Sequence, residues 1–502
     1  MNNVVDLVII AVYLVGTTLF GCSFFFRKGD GDAAGEFMTG GGKLPTWAIA
    51  LSIFATHVSS ISFLALPAKA YLTNWNPWVL SITVPIAAII AAIWFVPFYR
   101  RSVGVSAYSF LEARFGTWAR LYASGCFLVM QSARSGVILF LLALLLKTVL
   151  GFSVASMIVV TGVSTMLYVV MGGISAVVWA DAIQSLILIV GTVLCVLFIC
   201  RGIPDLGAGF QMAVESGKFS LGSFSLTDWG HETFWVIFFY ALCINLQNFG
   251  IDQSFTQRYI AARDTKSAVK SLLGSAFLYV PTTLLFVVIG TLLWMYVQCA
   301  PGSVPEETLA KSDAIFPWFI VHKLPTGVSG LLVAAIIAAA MSTIAATLNS
   351  GATVLLEDYY KRFAARRATP ANNLRFLRVS TVVLAIASIA IGLAVMNVQS
   401  ALTAFWAMQS VLSGGMLGLF LLGAFSKHTR ATHALIATLC GFVTLVWVTF
   451  GQQVLPLPWL FHVNLAIVFG TLSIVVIGFV LGQCAHLVTI SRSAGGRKER
   501  KR

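Results

Sequence analysis

The sequence predicts an all-α polytopic membrane protein with about thirteen transmembrane helices. Two observations support this: an apolar composition and the recurrence of membrane-length apolar runs. The mean hydropathy of the 502 residues is +0.90, and only 10% of them are charged. Soluble domains carry about 25% charged residues, so this chain lacks the polar surface that a water-soluble protein needs.

Thirteen apolar segments are long enough to cross about 30 Å of hydrocarbon. The first begins MNNVVDLVIIAVYLVG, without the basic n-region and cleavage site of a signal peptide, so we expect a retained helix. The eight cysteines lie mostly in apolar segments without C-x-x-C spacing, which indicates packing roles rather than disulfides or zinc ligands. The segments are approximately residues 3–26, 44–71, 76–99, 117–150, 155–171, 176–203, 232–252, 266–299, 313–357, 374–397, 399–425, 432–451 and 457–482.

The distribution of basic residues predicts the orientation of the chain. Its net charge of +14 does not indicate a nucleic-acid partner, because Lys and Arg in a membrane protein first mark the cytoplasmic loops. With an external N-terminus, 25 of the 32 Lys and Arg residues, Arg258 among them, fall in cytoplasmic loops or the tail. Five fall on the opposite side, and Lys69 and Arg134 lie inside segments. We therefore expect a cytoplasmic C-terminus.

The stretch FATHVSSISF, residues 54–63, interrupts the second segment with four hydroxyls and His57. Single Ser or Thr side chains commonly bond back to a carbonyl one turn earlier, which explains one hydroxyl in a membrane helix. Back-bonding bends helices, so this density predicts a break that frees backbone carbonyls. His57 is explained equally well by a neutral imidazole bonded to a carbonyl and by a contact to a substrate.

A second polar stretch, AAAMSTIAATLNSG, lies at residues 338–351. Its alanines are typical of close helix packing, but packing does not require the adjacent hydroxyls. A sodium ion needs several oxygens, and carbonyls with hydroxyls hold it weakly enough for release. The two stretches therefore predict one sodium site. Its ligands are the carbonyls of Ala55, Val58 and Ala339 and the hydroxyls of Ser342 and Thr343.

Arg134 lies about halfway along its segment and cannot lose its charge. It must pair with an acid or face a cavity that an anion enters. The candidate acids are Asp181 and Asp252, and the sequence leaves open both a structural bridge from Arg134 to Asp181 and the capture of an anion. Asp252 lies close to a basic stretch, which favours a solvated cytoplasmic position, and Lys69 lies near a helix end, where it can snorkel to the interface.

Five ordered blocks resemble the sodium/solute symporter family, most closely its bacterial sodium/sialic acid symporters. They are GGGKLPTWAIALSIFATHVSSISFLALPAKAY, AYSFLEARFG, MGGISAVVWADAIQ, TQRYIAARD and AAAMSTIAATLNS. The resemblance implies a LeuT-like core of two inverted five-helix repeats, at 44–203 and 232–425, joined by an external loop at 204–231. Residues 1–43 then form an extra N-terminal helix and the first cytoplasmic loop. Residues 426–502 form two further helices and a basic tail.

The resemblance also implies roles for individual residues. The family's sodium site falls on the five residues selected above. The sialic acid members bind the substrate carboxylate with hydroxyls and an arginine that match Ser59, Ser62 and Arg134. This chain departs from them at His57, where they carry threonine, and at Ser81, which replaces a glutamine. These departures leave the identity of the substrate open.

Members with an additional sodium site use the equivalents of Asp181, Ser342 and two further serines. Ala345 and Ala346 stand at the positions of those serines here. Because the loss of two hydroxyl ligands removes much of the shell of a hard ion, we expect one coupled sodium, with Asp181 near it.

The functional prediction is sodium-coupled import of a small carboxylated solute by alternating access. Sialic acid is the first choice, followed by another sugar acid or a monocarboxylate, and a neutral sugar or polyol is the alternative if Arg134 pairs with Asp181. We expect a monomer in the lipid bilayer of a bacterial-type inner membrane. An enzyme is not expected, because no metal-ligand cluster, paired acids or nucleophile motif accompanies His57.

Overall fold

The computed structural model describes residues 4–26, 32–101, 104–309, 312–364, 369–397, 401–454 and 461–499. Within these ranges the chain forms helices and no β-strand. The first ten helices are α1 (Val4–Ser23), α2 (Ala33–Thr39), α3 (Thr46–His57), α4 (Ser60–Leu72), α5 (Val79–Ile90), α6 (Val96–Arg101), α7 (Ser109–Phe115), α8 (Thr117–Leu150), α9 (Val154–Gly202) and α10 (Leu206–Glu215). The others are α11 (Phe234–Ile251), α12 (Gln253–Ala261), α13 (Thr265–Cys299), α14 (Glu306–Leu309), α15 (Ser312–His322), α16 (Val328–Val354), α17 (Lys361–Phe363), α18 (Pro370–Ala394), α19 (Ala401–Phe425), α20 (Ala431–Val454) and α21 (Ala466–Glu499).

The described residues hold thirteen apolar crossings, as the sequence predicts. Eleven helices are long and apolar enough to cross a membrane, and the bent pair α3 and α4 supplies a twelfth crossing. Helix α9 supplies two crossings, because its 49 residues would span about 74 Å as one continuous helix, more than twice the hydrocarbon thickness, and Gly173 divides them. Gly173 has φ 55° and ψ −149°, a conformation that separates the predicted segments 155–171 and 176–203.

One predicted boundary is wrong. The segment 313–357 is two helices, α15 and α16, separated by a turn at Lys323–Gly327. Pro325 and the positive φ of Gly327, 88°, explain the turn, since neither continues a helix. The predicted starts of three other segments, at 3, 399 and 457, lie outside the described residues.

Two transmembrane helices are broken. Val58 and Ser59 adopt extended conformations between α3 and α4, and the two helices meet at 54°. Asp252 is extended between α11 and α12, and its carboxylate accepts the Ser254 amide at 2.7 Å. The sequence predicts the first break and misses the second. Each broken helix is the first helix of one of the two predicted repeats.

Helix α16 lies at the centre of the molecule, and nearly all of its residues are buried. It packs against α1, α3, α8 and α9, and its many alanines allow these helices to approach closely. The sequence did not predict what holds the start of this helix. The backbone amides of Gly327 and Gly330 donate to the Asp6 carboxylate of α1 at 2.7 and 2.9 Å. A carboxylate at a helix N-terminus is stabilising, so Asp6 fixes α1 to the central helix.

Candidate ion and substrate sites

The break between α3 and α4 frees backbone carbonyls of two residues of the predicted sodium site. Because Val58 and Ser59 leave the helix, the Ala55 carbonyl lacks the amide that a continuous helix places four residues later. The Ser62 amide, which a helix would give to the Val58 carbonyl, instead bonds Ser59 Oγ at 3.3 Å. Both carbonyls are therefore available to a cation.

The other predicted ligands lie on α16, which packs against both α3 and α4. The Thr343 hydroxyl donates to the Ala339 carbonyl at 3.1 Å, and both oxygens keep lone pairs for an ion. Ser342 Oγ is fully buried and has no hydrogen-bond partner among the described residues. An unpartnered buried hydroxyl is costly, which is consistent with a ligand position. The fold thus brings the two sequence stretches to one interface.

Asp181 is fully buried on α9, beside the Ser342 hydroxyl. Its Oδ2 accepts from Ser52 Oγ at 2.5 Å and from Arg258 Nη2 at 2.8 Å. The alternative that Asp181 neutralises Arg134 is therefore wrong. The cytoplasmic-loop position of Arg258 is wrong as well, because this side chain is only 1% exposed. After the second break the chain continues as α12, whose residues are nearly all buried, and there Arg258 meets the acid.

Arg134 is half-buried on α8 and forms no ion pair with any carboxylate that the structure describes. The electrostatic attraction on it comes first from Asp252. Asp252 is itself buried, 1% exposed, and Gln131 Nε2 donates to its Oδ2 at 2.8 Å. The solvated position expected for Asp252 is therefore wrong, and Arg134 keeps a cationic face without a bonded acid.

The His57 ring lies where the two broken helices meet. It stacks on Phe249 with centroids 5.1 Å apart, and it makes edge contacts with Tyr279 at 4.4 Å and Phe255 at 5.8 Å. The imidazole Nδ1 is buried without a hydrogen-bond partner in the described chain. The carbonyl bond offered as one explanation of His57 is thus not made by Nδ1.

The remaining predicted substrate residues lie around the same point. Ser59 Oγ and Ser62 Oγ are 3.3 Å apart at the start of α4. Ser81 on α5 is buried beside the Tyr279 hydroxyl, and Arg134 acts electrostatically on both Tyr279 and His57. Ser81, Arg134 and His57 are therefore brought together around one phenol.

The sequence prediction missed several residues here. Tyr279 joins Ser81, Arg134 and His57, but a lone tyrosine in an apolar segment gives no signal. Asn245 and Gln247 do give a signal. Two polar amides in a membrane helix just before a break are as unusual as the hydroxyls of residues 54–63, and so they also indicate a functional position. Asn245 Oδ1 and both side-chain amide atoms of Gln247 are buried without hydrogen-bond partners in the described residues.

Comparisons with known proteins agree with this arrangement. Residues 37–441 match the Sodium:solute symporter family. The sodium/sialic acid symporter SiaT of Proteus mirabilis (strain HI4320) is 32% identical over 475 residues, covering 93% of this chain and 92% of that protein. Sodium-coupled monocarboxylate transporter 1 of Homo sapiens is 26% identical over 462 residues, covering 90% and 74%.

Solved structures give the same result. The substrate-bound outward-open state of a Na⁺-coupled sialic acid symporter matches with a TM-score of 0.86 and 28% identity, covering 96% of this chain and 98% of that one. Mhp1, a nucleobase-cation-symport-1 family transporter, matches with a TM-score of 0.56 at 15% identity, covering 88% and 92%, which shows the fold alone.

These comparisons confirm the predicted LeuT-like all-α fold and sodium as the coupled ion. They also confirm the family resemblance on which the sequence prediction relied. The protein is a transporter and not an enzyme, and the chain belongs to the sodium:solute symporter family.

Proposed function

We propose that this protein imports a small carboxylated solute with sodium, and that sialic acid is the first candidate. The observation that carries the proposal is Arg134, a half-buried cation that forms no ion pair with the described residues and lies near Asp252 at the second break. Intramembrane charges that are not paired face substrate pathways, and a guanidinium suits a carboxylate because it can donate two parallel hydrogen bonds. The similarity to a sodium/sialic acid symporter and to a sodium-coupled monocarboxylate transporter supports an anionic substrate.

The proposed substrate site combines this cation with hydroxyls and aromatic faces. Arg134 binds the carboxylate, and the Ser59 and Ser62 hydroxyls hydrogen-bond the same end of the solute. His57 and Ser81 contact the rest of it. His57 already packs among aromatic rings, which offer flat apolar surfaces to a sugar ring.

Sodium is proposed to bind the carbonyls of Ala55, Val58 and Ala339 with the hydroxyls of Ser342 and Thr343. Such an ion joins α3 and α4 to the central helix α16, and so orders the hydroxyls that begin α4. Ion and solute then favour the same conformation, which is the thermodynamic basis of coupling.

Uptake into proteoliposomes tests the proposal. Labelled sialic acid should accumulate under an inward sodium gradient and not when potassium or choline replaces sodium. Arg134→Ala should reduce uptake by about 30-fold or more, because truncating one partner of a desolvated charge pair costs about 2–5 kcal/mol. Arg134→Lys keeps the charge and should retain part of the uptake.

Two results would contradict the proposal. Accumulation of every tested acid without regard to the cation would exclude sodium coupling. A neutral sugar or polyol that is carried well, with only a moderate loss in Arg134→Ala, would exclude the carboxylated substrate.

We further propose a stoichiometry of one sodium per solute. Ala345 and Ala346 offer no hydroxyls, and Arg258 already supplies a positive charge to Asp181 at 2.8 Å. A tethered guanidinium at this carboxylate removes the electrostatic need for a second ion. Parallel measurement of ²²Na and solute flux tests the ratio, and a clear 2:1 value would overturn it.

The protein is a multi-pass membrane protein, and we propose that it resides as a monomer in a bacterial-type inner membrane, with its N-terminus external and C-terminus cytoplasmic. The placement of 24 of the 32 basic residues, a count that leaves out the buried Arg258, supports this orientation. A C-terminal fluorescent protein should fold and fluoresce, since it matures in the cytoplasm. A dark fusion of full-length, membrane-inserted protein would contradict the orientation.

A further inference from the structure

A second basic site lies far from Arg134, at the end of the bundle where α19 ends and α20 begins. A cavity of about 500 Å³ opens there between that turn, α7 and α21. None of its described lining residues is acidic. Five lining residues are basic: Arg114, Lys427, His428, Arg430 and His486. A concave surface with this much unbalanced positive charge focuses the field on an anion.

The walls of the cavity are held in place by hydrogen bonds. Arg114 Nε donates to the Gly423 carbonyl at 3.0 Å, and its Nη2 donates to the Ser426 carbonyl. Thr429 Oγ1 donates to the Gly478 carbonyl at 2.9 Å, which fixes the turn to α21. The Arg114 guanidinium is thus oriented by neutral carbonyls, so its charge is not cancelled.

The two histidines stack face to face, although no acid lies between them. The His428 and His486 ring centroids are 3.9 Å apart, with planes inclined by 17°. None of the five basic residues forms an ion pair within the described part of the chain. Ala431, the first residue of α20, also lines the cavity and adds the positive end of a 24-residue helix. An anion bound here would offset the charges of Arg114, Lys427 and Arg430.

We propose that this cavity binds the phosphate of an anionic phospholipid headgroup. A phosphate suits this cavity because its oxygens can accept charge-assisted hydrogen bonds from several of the Lys and Arg residues that line one concave surface. Two exposed apolar residues lie within two positions of lining residues in the chain and favour a lipid over free phosphate: Phe425 is 60% exposed and Leu487 is 64% exposed. Basic pockets between transmembrane helices are suited to acidic headgroups, while acyl chains cover such apolar neighbours.

Native mass spectrometry of the full-length protein released from nanodiscs tests the proposal. The nanodiscs contain phosphatidylglycerol and phosphatidylcholine in equal amounts. Each basic residue beside an acidic headgroup contributes a factor of about five to binding, so Lys427→Ala/Arg430→Ala should weaken phosphatidylglycerol retention about 25-fold. His428→Ala/His486→Ala should also weaken it, although no Lys or Arg is removed.

The matched control is Lys266→Ala/Lys270→Ala, which removes two exposed lysines from the first turns of α13, in a stretch that the sequence assigns to the same side. It should leave retention unchanged. Equal losses in the control and in the cavity variants would overturn the proposal, because diffuse surface charge would then explain binding. A second arm measures thermal stability with inorganic phosphate at constant ionic strength. Stabilisation by phosphate without enrichment of phosphatidylglycerol would overturn the lipid assignment.

Discussion

The buried pair of Asp181 and Arg258 provides the sharpest test of the structure. We consider Arg258→Gln, which keeps much of the side-chain length and removes the charge. The side chains of the pair are 0% and 1% exposed, and Arg258 also donates to Ser52 Oγ at 2.7 Å and to the Ser254 carbonyl at 2.5 Å. The substitution leaves a buried carboxylate without its counter-charge.

The expected loss of stability follows from this burial. Breaking a buried ion pair by removing one partner costs about 3–5 kcal/mol. The unfolding entropy of a chain of 502 residues is roughly 1 kcal/mol/K, so Tm should fall by about 3–5 °C. The double variant Asp181→Asn/Arg258→Gln removes the uncompensated charge and should recover part of this loss.

Sodium titration adds a second readout. In Arg258→Gln the Asp181 carboxylate, which lies beside Ser342, becomes available to a cation, so sodium should raise Tm more than in the parent protein. The double variant should lose this extra response.

The assay is a thermal-shift measurement in detergent, with and without sodium at constant ionic strength. Arg263→Gln is the matched control, because Arg263 is 78% exposed and its acid partner lies 3.7 Å away. This variant should not shift Tm measurably. An unchanged Tm in Arg258→Gln, or a double variant no more stable than the single one, would refute the reasoning.

Two further predictions concern other parts of the fold. Hydrogen bonds from Arg120 hold the pKa of Glu112 below its ordinary value of 4.5, so their stabilisation is present above that value and is lost as pH falls through the lowered pKa. Glu112→Gln should therefore have a lower Tm than the parent at pH 7, and the loss of unfolding free energy should be no more than about 1 kcal/mol. The two Tm values should converge as pH falls from 4.5 through the lowered pKa. A gap that is constant between pH 7 and pH 4 would contradict this. Gly173→Ala should destabilise the protein. Its backbone conformation costs a residue other than glycine about 1–3 kcal/mol, and the clash of the new Cβ, 2.6 Å from the Phe37 carbonyl oxygen, adds to this cost. Gly16→Ala, with no atom within 4 Å of the new Cβ, is its control, and equal thermal stability of the two variants would count against the kink at Gly173.

Much of the fold could be predicted because the bilayer makes strong local demands. Segment length and polarity are properties of consecutive residues, so thirteen crossings and the break at Val58 and Ser59 were visible in the sequence. The second break at Asp252 gave a weaker signal, because one N-capping acid resembles the end of a loop. The boundary at Gly327 was missed because α15 is itself apolar.

The site divides in the same way. The sequence by itself determined which residues interrupt the hydrocarbon: the hydroxyls near His57, the pair Ser342 and Thr343, and Arg134. Only the tertiary structure decided their partners, because ion pairs form between residues far apart in the chain. Asp181 meets Arg258, 77 residues away, instead of Arg134. That pairing depends on how α12 packs against its neighbours after the break at Asp252, and helix packing is set by the whole molecule rather than by any single segment.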